Sequence, residues 1–294
     1  MFNGISSGAG GNVADGGTVA ALLALARQRG IAPLDAEVLL AALTGMGRAQ
    51  LIAFPERSVA PLAAAMFDAG VSRLAAGEPL AYITGVREFW SLPLVVMSDV
   101  LIPRPETELL VELCLQRLDA SAKRVADLGT GSGAIALALA RERPDWQITA
   151  TDASTAALQV AAINAERLRI GNVRFAAGRW CAALGAERFD AILSNPPYVA
   201  ADDAALAQLR FEPQSALVAE DAGHADLLHI IGCARGHLNP GGLLLLEHGA
   251  TQAARLAATL VAEGYHRVAC HRDLAGHERV TEAYWPAHRQ PSRH

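Results

Sequence analysis

The chain is almost without lysine: Lys123 stands alone among its 25 basic residues. The formal net charge is −5, and neither half is basic. Residues 1–102 carry six Arg against eight acids, and the remainder carries 19 bases against 22 acids. A surface built to neutralise phosphates needs a local surplus of positive charge, so a duplex-nucleic-acid binder is disfavoured. No apolar run approaches the ~18–20 residues of a membrane span. The opening "MFNGISSGAGGNVADGG" has no positive segment ahead of an apolar one, so it is no secretory signal. Cysteine is scarce. Cys114, Cys181, Cys233 and Cys270 include no CxxC pair, and their spacing suits neither zinc nor a disulfide framework. Reduced, mostly buried thiols are expected. His224, His229, His237, His248 and His277 show no ligand spacing, so no metal is expected. Repeats of fixed period are absent too. These exclusions leave a cytoplasmic protein that neither spans a membrane nor binds one.

What is present is apolar. Hydrophobic residues make up 52% of the 294 residues and charged ones 19%, enough for a sizeable core in one large or two ordinary domains. Residues 1–17 and 288–294 read as disordered tails. Over 18–80 the pattern is helical: "TVAALLALARQRG" stops at a glycine, and "APLDAEVLLAALTGM" opens with Pro33 and an Asp35 cap. This segment predicts a small helical domain. Residues 81–102, "AYITGVREFWSLPLVVMSDVLI", are rich in β-branched and aromatic residues and predict a hairpin linker. From 103 to 287 strands alternate with helices of ~10–18 residues, ending in two short strands. That alternation means βαβ units and a parallel sheet with helices on both faces.

Two loops of this region carry chemistry. "DLGTGSG", Asp127 to Gly133, follows a strand and opens a helix. Its glycines permit a tight turn and close approach to a ligand beyond the carboxyl end of the strand. The spacing is GxGxG rather than the dinucleotide GxGxxG, and Asp127 precedes it. A carboxylate there meets an ammonium better than a pyrophosphate, which favours S-adenosylmethionine over NAD. The second strand ends in Asp152, placed either to accept from both ribose hydroxyls or to cap the next helix, with Ser154 sharing the work.

The second loop is "SNPPYV". An apolar strand, "FDAIL", runs straight into Asn195, Pro196, Pro197 and Tyr198. The Asn195 amide offers an acceptor oxygen. The prolines lack N–H groups and present bare carbonyls. Tyr198 can stack on a planar group. Together they suit a planar NH₂, whose delocalised lone pair makes it a poor nucleophile. Asn195 and the Pro196 carbonyl would bind both hydrogens, aim the nitrogen at a methyl sulfonium and stabilise the charge that develops. The planar group sits on an amide or on a nucleobase; the motif alone serves both.

At these residues the chain resembles the class I S-adenosylmethionine-dependent methyltransferases. More narrowly it resembles the peptide chain release factor glutamine methyltransferase family (HemK/PrmC). The likeness runs through "GEPLAYITGVREFWSLPLVV" (77–96), "LIPRPETELLVE" (101–112), "DLGTGSGAIALALA" (127–140), "SNPPYV" (194–199), "RFEPQSALVAEDAG" (210–223), "LLLEHG" (244–249) and "DLAGHERVTEAYW" (273–285). It implies a Rossmann-like class I methyltransferase sheet, mostly parallel with helices on both faces and an antiparallel C-terminal edge, beside a small N-terminal helical domain. It implies transfer of a methyl group to the side-chain amide nitrogen of the Gln in the Gly-Gly-Gln tripeptide of class I release factors, leaving S-adenosyl-L-homocysteine. Adenine-N6 methylation of DNA or RNA is the alternative, since NPPY is shared with adenine methyltransferases; it would require base flipping. The resemblance further implies that Asp127, Gly129, Thr130, Gly131, Ser132, Gly133 and Asp152 hold the cofactor. Trp180 lies beside the adenine, and Asn195 touches both cofactor and substrate. Asn195 to Tyr198 hold the glutamine, with Asn195 and Pro196 catalytic. Phe89 and Arg104 lie near the methyl donor, though Arg104 serves equally as a helix-entry residue. Glu212 either braces a loop or touches substrate. The helical domain docks the release factor, and a monomer with no direct nucleic-acid partner is expected. One position departs: the family's acidic residue before the tryptophan is here Arg179, which cannot accept from the adenine amino group. A backbone carbonyl, or stacking and apolar contact, is expected to serve instead, with Arg179 facing solvent.

Overall fold

A computed structural model describes residues 17–287; the two predicted tails therefore lie outside the described residues, apart from Gly17. The described residues form two compact units, one ending at Thr84 and one beginning at Gly85. Among them no helix is long and apolar enough to cross a membrane.

The first unit is helical. A two-residue strand β1 (Gly17–Thr18) pairs with β2 (Ser58–Val59). Between them run α1 (Val19–Gln28), α2 (Pro33–Thr44) and α3 (Arg48–Ala53), followed by α4 (Pro61–Ala75) and α5 (Leu80–Thr84). The Thr18 side chain accepts from the Ala21 amide at 3.3 Å and caps α1. Pro33 opens α2, but Asp35 lies inside the first turn rather than capping it, where its charge suits the helix dipole. Phe67, Leu39 and Leu40 fill the centre of this unit. Residues 81–84, read from sequence as the start of the hairpin linker, are helical because the amides of Tyr82 and Ile83 both bond the Pro79 carbonyl.

The second unit opens with the predicted hairpin, β3 (Val86–Phe89) and β4 (Leu92–Val95). A 3₁₀ turn at Pro105–Thr107 leads into α6 (Glu108–Arg117). Then follow β5 (Arg124–Leu128), α7 (Ala134–Glu142), β6 (Gln147–Asp152), α8 (Thr155–Leu168), β7 (Val173–Ala177) and β8 (Phe189–Ser194). A short turn, α9 (Glu220–Gly223), precedes α10 (Ala225–Ala234), β9 (Leu238–Glu247), α11 (Ala253–Ala262), β10 (His266–Arg272) and β11 (Glu278–Tyr284). The seven strands lie in the order β10-β11-β9-β8-β5-β6-β7. β7, β6, β5, β8 and β9 run parallel, and β11 and β10 form an antiparallel edge. β9 begins irregularly. Pro240 has no N–H for a ladder, and the register against β8 slips around it before regular pairing resumes at Leu243.

Strand alternation separates two cores. On β8 and β9, Ala191, Leu193, Leu243 and Leu245 face one apolar cluster, while Ile192, Leu244 and Leu246 face the other. Each fully buried Leu or Ile contributes about 1.5–3 kcal/mol. The chain leaves β5 toward β6 and leaves β8 toward β9, on opposite sides. The crevice between β5 and β8 is therefore the switch point where an open parallel sheet binds ligands.

Candidate active site

A cavity of about 480 Å³ lies at this crevice. Leu128 and Ser194 are register partners at the ends of β5 and β8, so the glycine loop and the Asn195 loop leave the sheet side by side. Of the residues expected from sequence, Gly129, Thr130, Gly131, Ser132, Asp152, Trp180, Arg104, Asn195 and Pro197 line the cavity.

The glycine loop is held by its own backbone and by two carboxylates. The amides of Gly129 and Thr130 both donate to the Thr151 carbonyl at 2.8 Å. Asp152 accepts from the Gly131 amide at 2.9 Å and from the Ser154 amide at 2.8 Å. Ser154, not Asp152, caps α8, through a 3.1 Å bond from Ala157. Gly129 needs its missing side chain. Its φ is +76°, and an added Cβ would lie 2.9 Å from Trp180 Cζ3. The hairpin is tied to the loop by fully buried Asn164: its amide bonds both polar groups of Val95 and the Ser132 carbonyl at 2.9 Å.

Asp127 sits below this loop, fully buried and off the cavity wall. Thr130 Oγ1 donates to its Oδ2 at 2.6 Å, while Oδ1 is buried without a partner. Burial pushes its carboxyl up to about 7, partly offset by the bond from Thr130. Gly133 also lies off the wall; it is the left-handed residue at the N-terminus of α7, pressed against Leu137 and Ala161.

Phe89 corrects an expectation. It is 1% exposed and packed in the core with Leu92 and Leu94, not beside the cavity. Hairpin alternation turns these three residues inward. Arg104 does reach the cavity, where it pairs with Glu212 at 2.6 Å. Glu212 is buried and also accepts from the Ile102 amide at 3.1 Å, so it braces the 102–104 segment.

In the second loop Asn195 is half-buried and donates from Nδ2 to Thr107 Oγ1 at 3.1 Å. Pro196 and Tyr198 do not line the cavity. Tyr198, expected as a stacking face, instead packs against the second core cluster and sends its hydroxyl to Glu247 at 3.2 Å. Burial raises its phenol. The loop is locked from behind by Gly223, whose φ is +83°. A Cβ there would meet the Tyr198 carbonyl at 2.2 Å.

Residues 105–219 match the family described as methyltransferase small domain, and residues 19–85 match the PrmC N-terminal domain. The release factor glutamine methyltransferase of Salmonella typhimurium is 51% identical over 249 residues, 84% of this chain and 90% of that protein. The protein of that name from Xylella fastidiosa is 50% identical over 270 residues, 90% of this chain and 98% of its own. The chain belongs to the release factor glutamine methyltransferase family. Among solved structures, a methyltransferase from Pyrococcus furiosus covers 73% of this chain and 97% of its own at a TM-score of 0.52 and 19% identity, which shows the shared fold.

Against the release factor glutamine methyltransferase family, Arg179 is the departure, and the structure supplies an acid from elsewhere. Asp226, on α10, is 7% exposed and lines the cavity. Its Oδ1 accepts from Arg179 at 2.7 Å and from Trp180 Nε1 at 3.1 Å. Arg179 is thus exposed but paired. Nothing in "GHADLLHI" marks Asp226 for this place, because its partners lie 46 and 47 residues away. The same packing corrects the cysteine expectation. Cys181, next to Trp180, is joined by a disulfide to Cys233 on α10, since the fold brings their Cα atoms to 6.1 Å across 52 residues. Cys114 is buried and free; Cys270 is exposed and free.

Proposed function

We propose that this protein transfers a methyl group from S-adenosylmethionine to the side-chain amide nitrogen of the glutamine in the Gly-Gly-Gln tripeptide of class I release factors. The observation that carries this reading is the sharing of one cavity wall by the glycine loop and Asn195. The relatives' name points the same way. When bound, the cofactor supplies a methyl group on a positively charged sulfur.

The residues present fit that group. The unpartnered Asp127 Oδ1 is matched to the ammonium of its amino-acid end. Asp152, Trp180 and Asp226 all line the cavity; in this reading Asp152 serves the ribose, and Trp180 and Asp226 serve the base. Asn195 accepts one hydrogen of the glutamine NH₂, and the Pro196 carbonyl accepts the other; no bond among the described residues engages that carbonyl. Holding both hydrogens orients the nitrogen and favours the positive charge it gains. The helical unit ending at Thr84 is the docking unit in this reading. It exposes Ile52, Phe54, Leu62 and Met66, the last two one turn apart on α4. The working form is then a cytoplasmic monomer that acts on protein rather than on nucleic acid.

Incubation with methyl-labelled S-adenosylmethionine tests the class. Label on a purified class I release factor supports it, and label on DNA or RNA alone gives the adenine reading. Cofactor affinity carries a further expected result. With its raised pKa, Asp127 holds a proton below about pH 7 in the free protein. A cation beside it favours the ionised form, so binding expels that proton and tightens as pH rises. Titration calorimetry from about pH 6 to about pH 8, in buffers of different ionisation enthalpy, reads both effects. A flat affinity without proton release removes Asp127 from the ammonium site.

A further inference from the structure

One covalent bond takes no part in the steps above, yet it joins two elements that line the cavity. Cys181 follows Trp180 in the 3₁₀ turn Trp180–Leu184. Its partner Cys233 lies on α10, about two turns beyond Asp226. The turn and α10 are therefore tied twice. The disulfide is one tie; the bonds from Trp180 Nε1 and Arg179 to Asp226, at 3.1 and 2.7 Å, are the other. Arg179, Trp180 and Asp226 line the cavity, and neither cysteine does.

Trp180 depends on such ties. Its φ is +50°, in the left-handed region. A bulky side chain persists there only where its surroundings over-determine it. Its indole also stands against the glycine loop, with Cζ3 2.9 Å from where a Cβ on Gly129 would lie. Any shift of the turn therefore reshapes the cavity. In a reducing cytoplasm a disulfide is as a rule transient and redox-sensing rather than structural. This one is reachable from solvent: Cys181 is buried, but Cys233 is half-buried.

We propose that Cys181 and Cys233 form a redox switch on the cofactor site, in which the disulfide holds Trp180 against the glycine loop and the dithiol form releases it. The inference rests on the cofactor and the cytoplasmic setting proposed above, and not on which amide is methylated. Reduction takes two electrons and two protons from a dithiol. One thiolate of the dithiol attacks Cys233 Sγ, and Cys181 leaves as a thiolate and is protonated. The second thiol of the reductant then displaces Cys233, and the reductant departs as its own disulfide. Oxidation uses a hydroperoxide. The Cys233 thiolate takes one oxygen to become a sulfenic acid, and Cys181 displaces that oxygen as water. The released turn spends part of its time with Trp180 away from the loop, so the apparent affinity falls by the fraction of molecules still competent to bind.

The test uses the full chain carrying Cys270→Ser, which removes the exposed free thiol. Mass spectrometry of a non-reducing digest first identifies the peptide pair joined through Cys181 and Cys233. S-adenosyl-L-homocysteine is then titrated calorimetrically into the oxidised protein, the protein reduced with dithiothreitol without denaturant, and the protein reoxidised with hydrogen peroxide. Reduction is expected to raise Kd on the order of 10-fold and reoxidation to restore it. Cys233→Ser in the same background is expected to keep the weaker Kd under both conditions. The proposal is overturned by absence of the joined peptides, by a crosslink that dithiothreitol opens only in denaturant, or by a Kd that is equal or tighter after reduction. A Cys233→Ser variant that still responds to redox state overturns it as well. Should that variant fail to fold, the reversible change in Kd of the parent protein decides alone. No binding in either state overturns the cofactor reading together with the switch, whereas equal binding in both states overturns the switch only.

Discussion

Replacing Asn195 with alanine is expected to lower kcat on the order of 100-fold or more while leaving cofactor affinity within about twofold. The substitution removes the side-chain acceptor at the exit of β8. It leaves the glycine loop, Asp152 and Asp127 in place, and none of these depends on the Asn195 amide: its one hydrogen bond among the described residues goes to Thr107. The charge that Asn195 meets develops only as the nitrogen is methylated, so the loss falls on turnover rather than on ground-state binding. Titration with S-adenosyl-L-homocysteine and single-turnover rates on release factor separate the two. Unchanged turnover would remove Asn195 from the chemistry.

Gly129→Ala is expected to do the reverse and weaken cofactor binding on the order of 100-fold. Two effects combine. The φ of +76° is strained for any residue with a Cβ, at about 1–3 kcal/mol. The new methyl would also stand 2.9 Å from Trp180 Cζ3. Trp180 cannot retreat freely. It is 8% exposed, bonded to Asp226, and followed by a cysteine crosslinked to α10. Either the loop or the indole must move, and both line the cavity. Calorimetric titration with S-adenosyl-L-homocysteine reads the effect, and a thermal melt shows whether the fold persists. Near-normal affinity would mean that the loop does not approach the ligand at this point. With both expected results, the two variants would divide the site into a cofactor side on β5 and an acceptor side on β8.

Much of this site was legible because its signals are local. Glycines at alternate positions after a strand, an aspartate closing the next strand, and Pro-Pro at a strand exit each occupy fewer than ten consecutive residues. The βαβ rhythm then placed them at one sheet edge. Phe89 was also readable. In the hairpin Phe89 pairs with Leu92 across the two-residue turn, so it shares the inward face of Leu92 and Leu94, and that register opposes a place beside the methyl donor. Other groups needed the fold itself. Glu247 meets Tyr198 across 49 residues, Thr107 meets Asn195 across 88, and Cys181 meets Cys233 across 52. Asp226 is the sharpest case. An arginine before the tryptophan seemed to leave Trp180 without a neighbouring acid, yet α10 delivers Asp226 and the arginine binds it.

The central claim is that the slot beside Asn195 accepts the amide of one particular glutamine. The most direct measurement is mass spectrometry of a purified class I release factor after incubation with this protein and S-adenosylmethionine. The expected result is a single added methyl group on the peptide that contains Gly-Gly-Gln, located by fragmentation to the glutamine side chain and absent when that glutamine is replaced. A methyl group elsewhere on the factor, or an unmodified factor beside methylated adenine in added DNA or RNA, would contradict it.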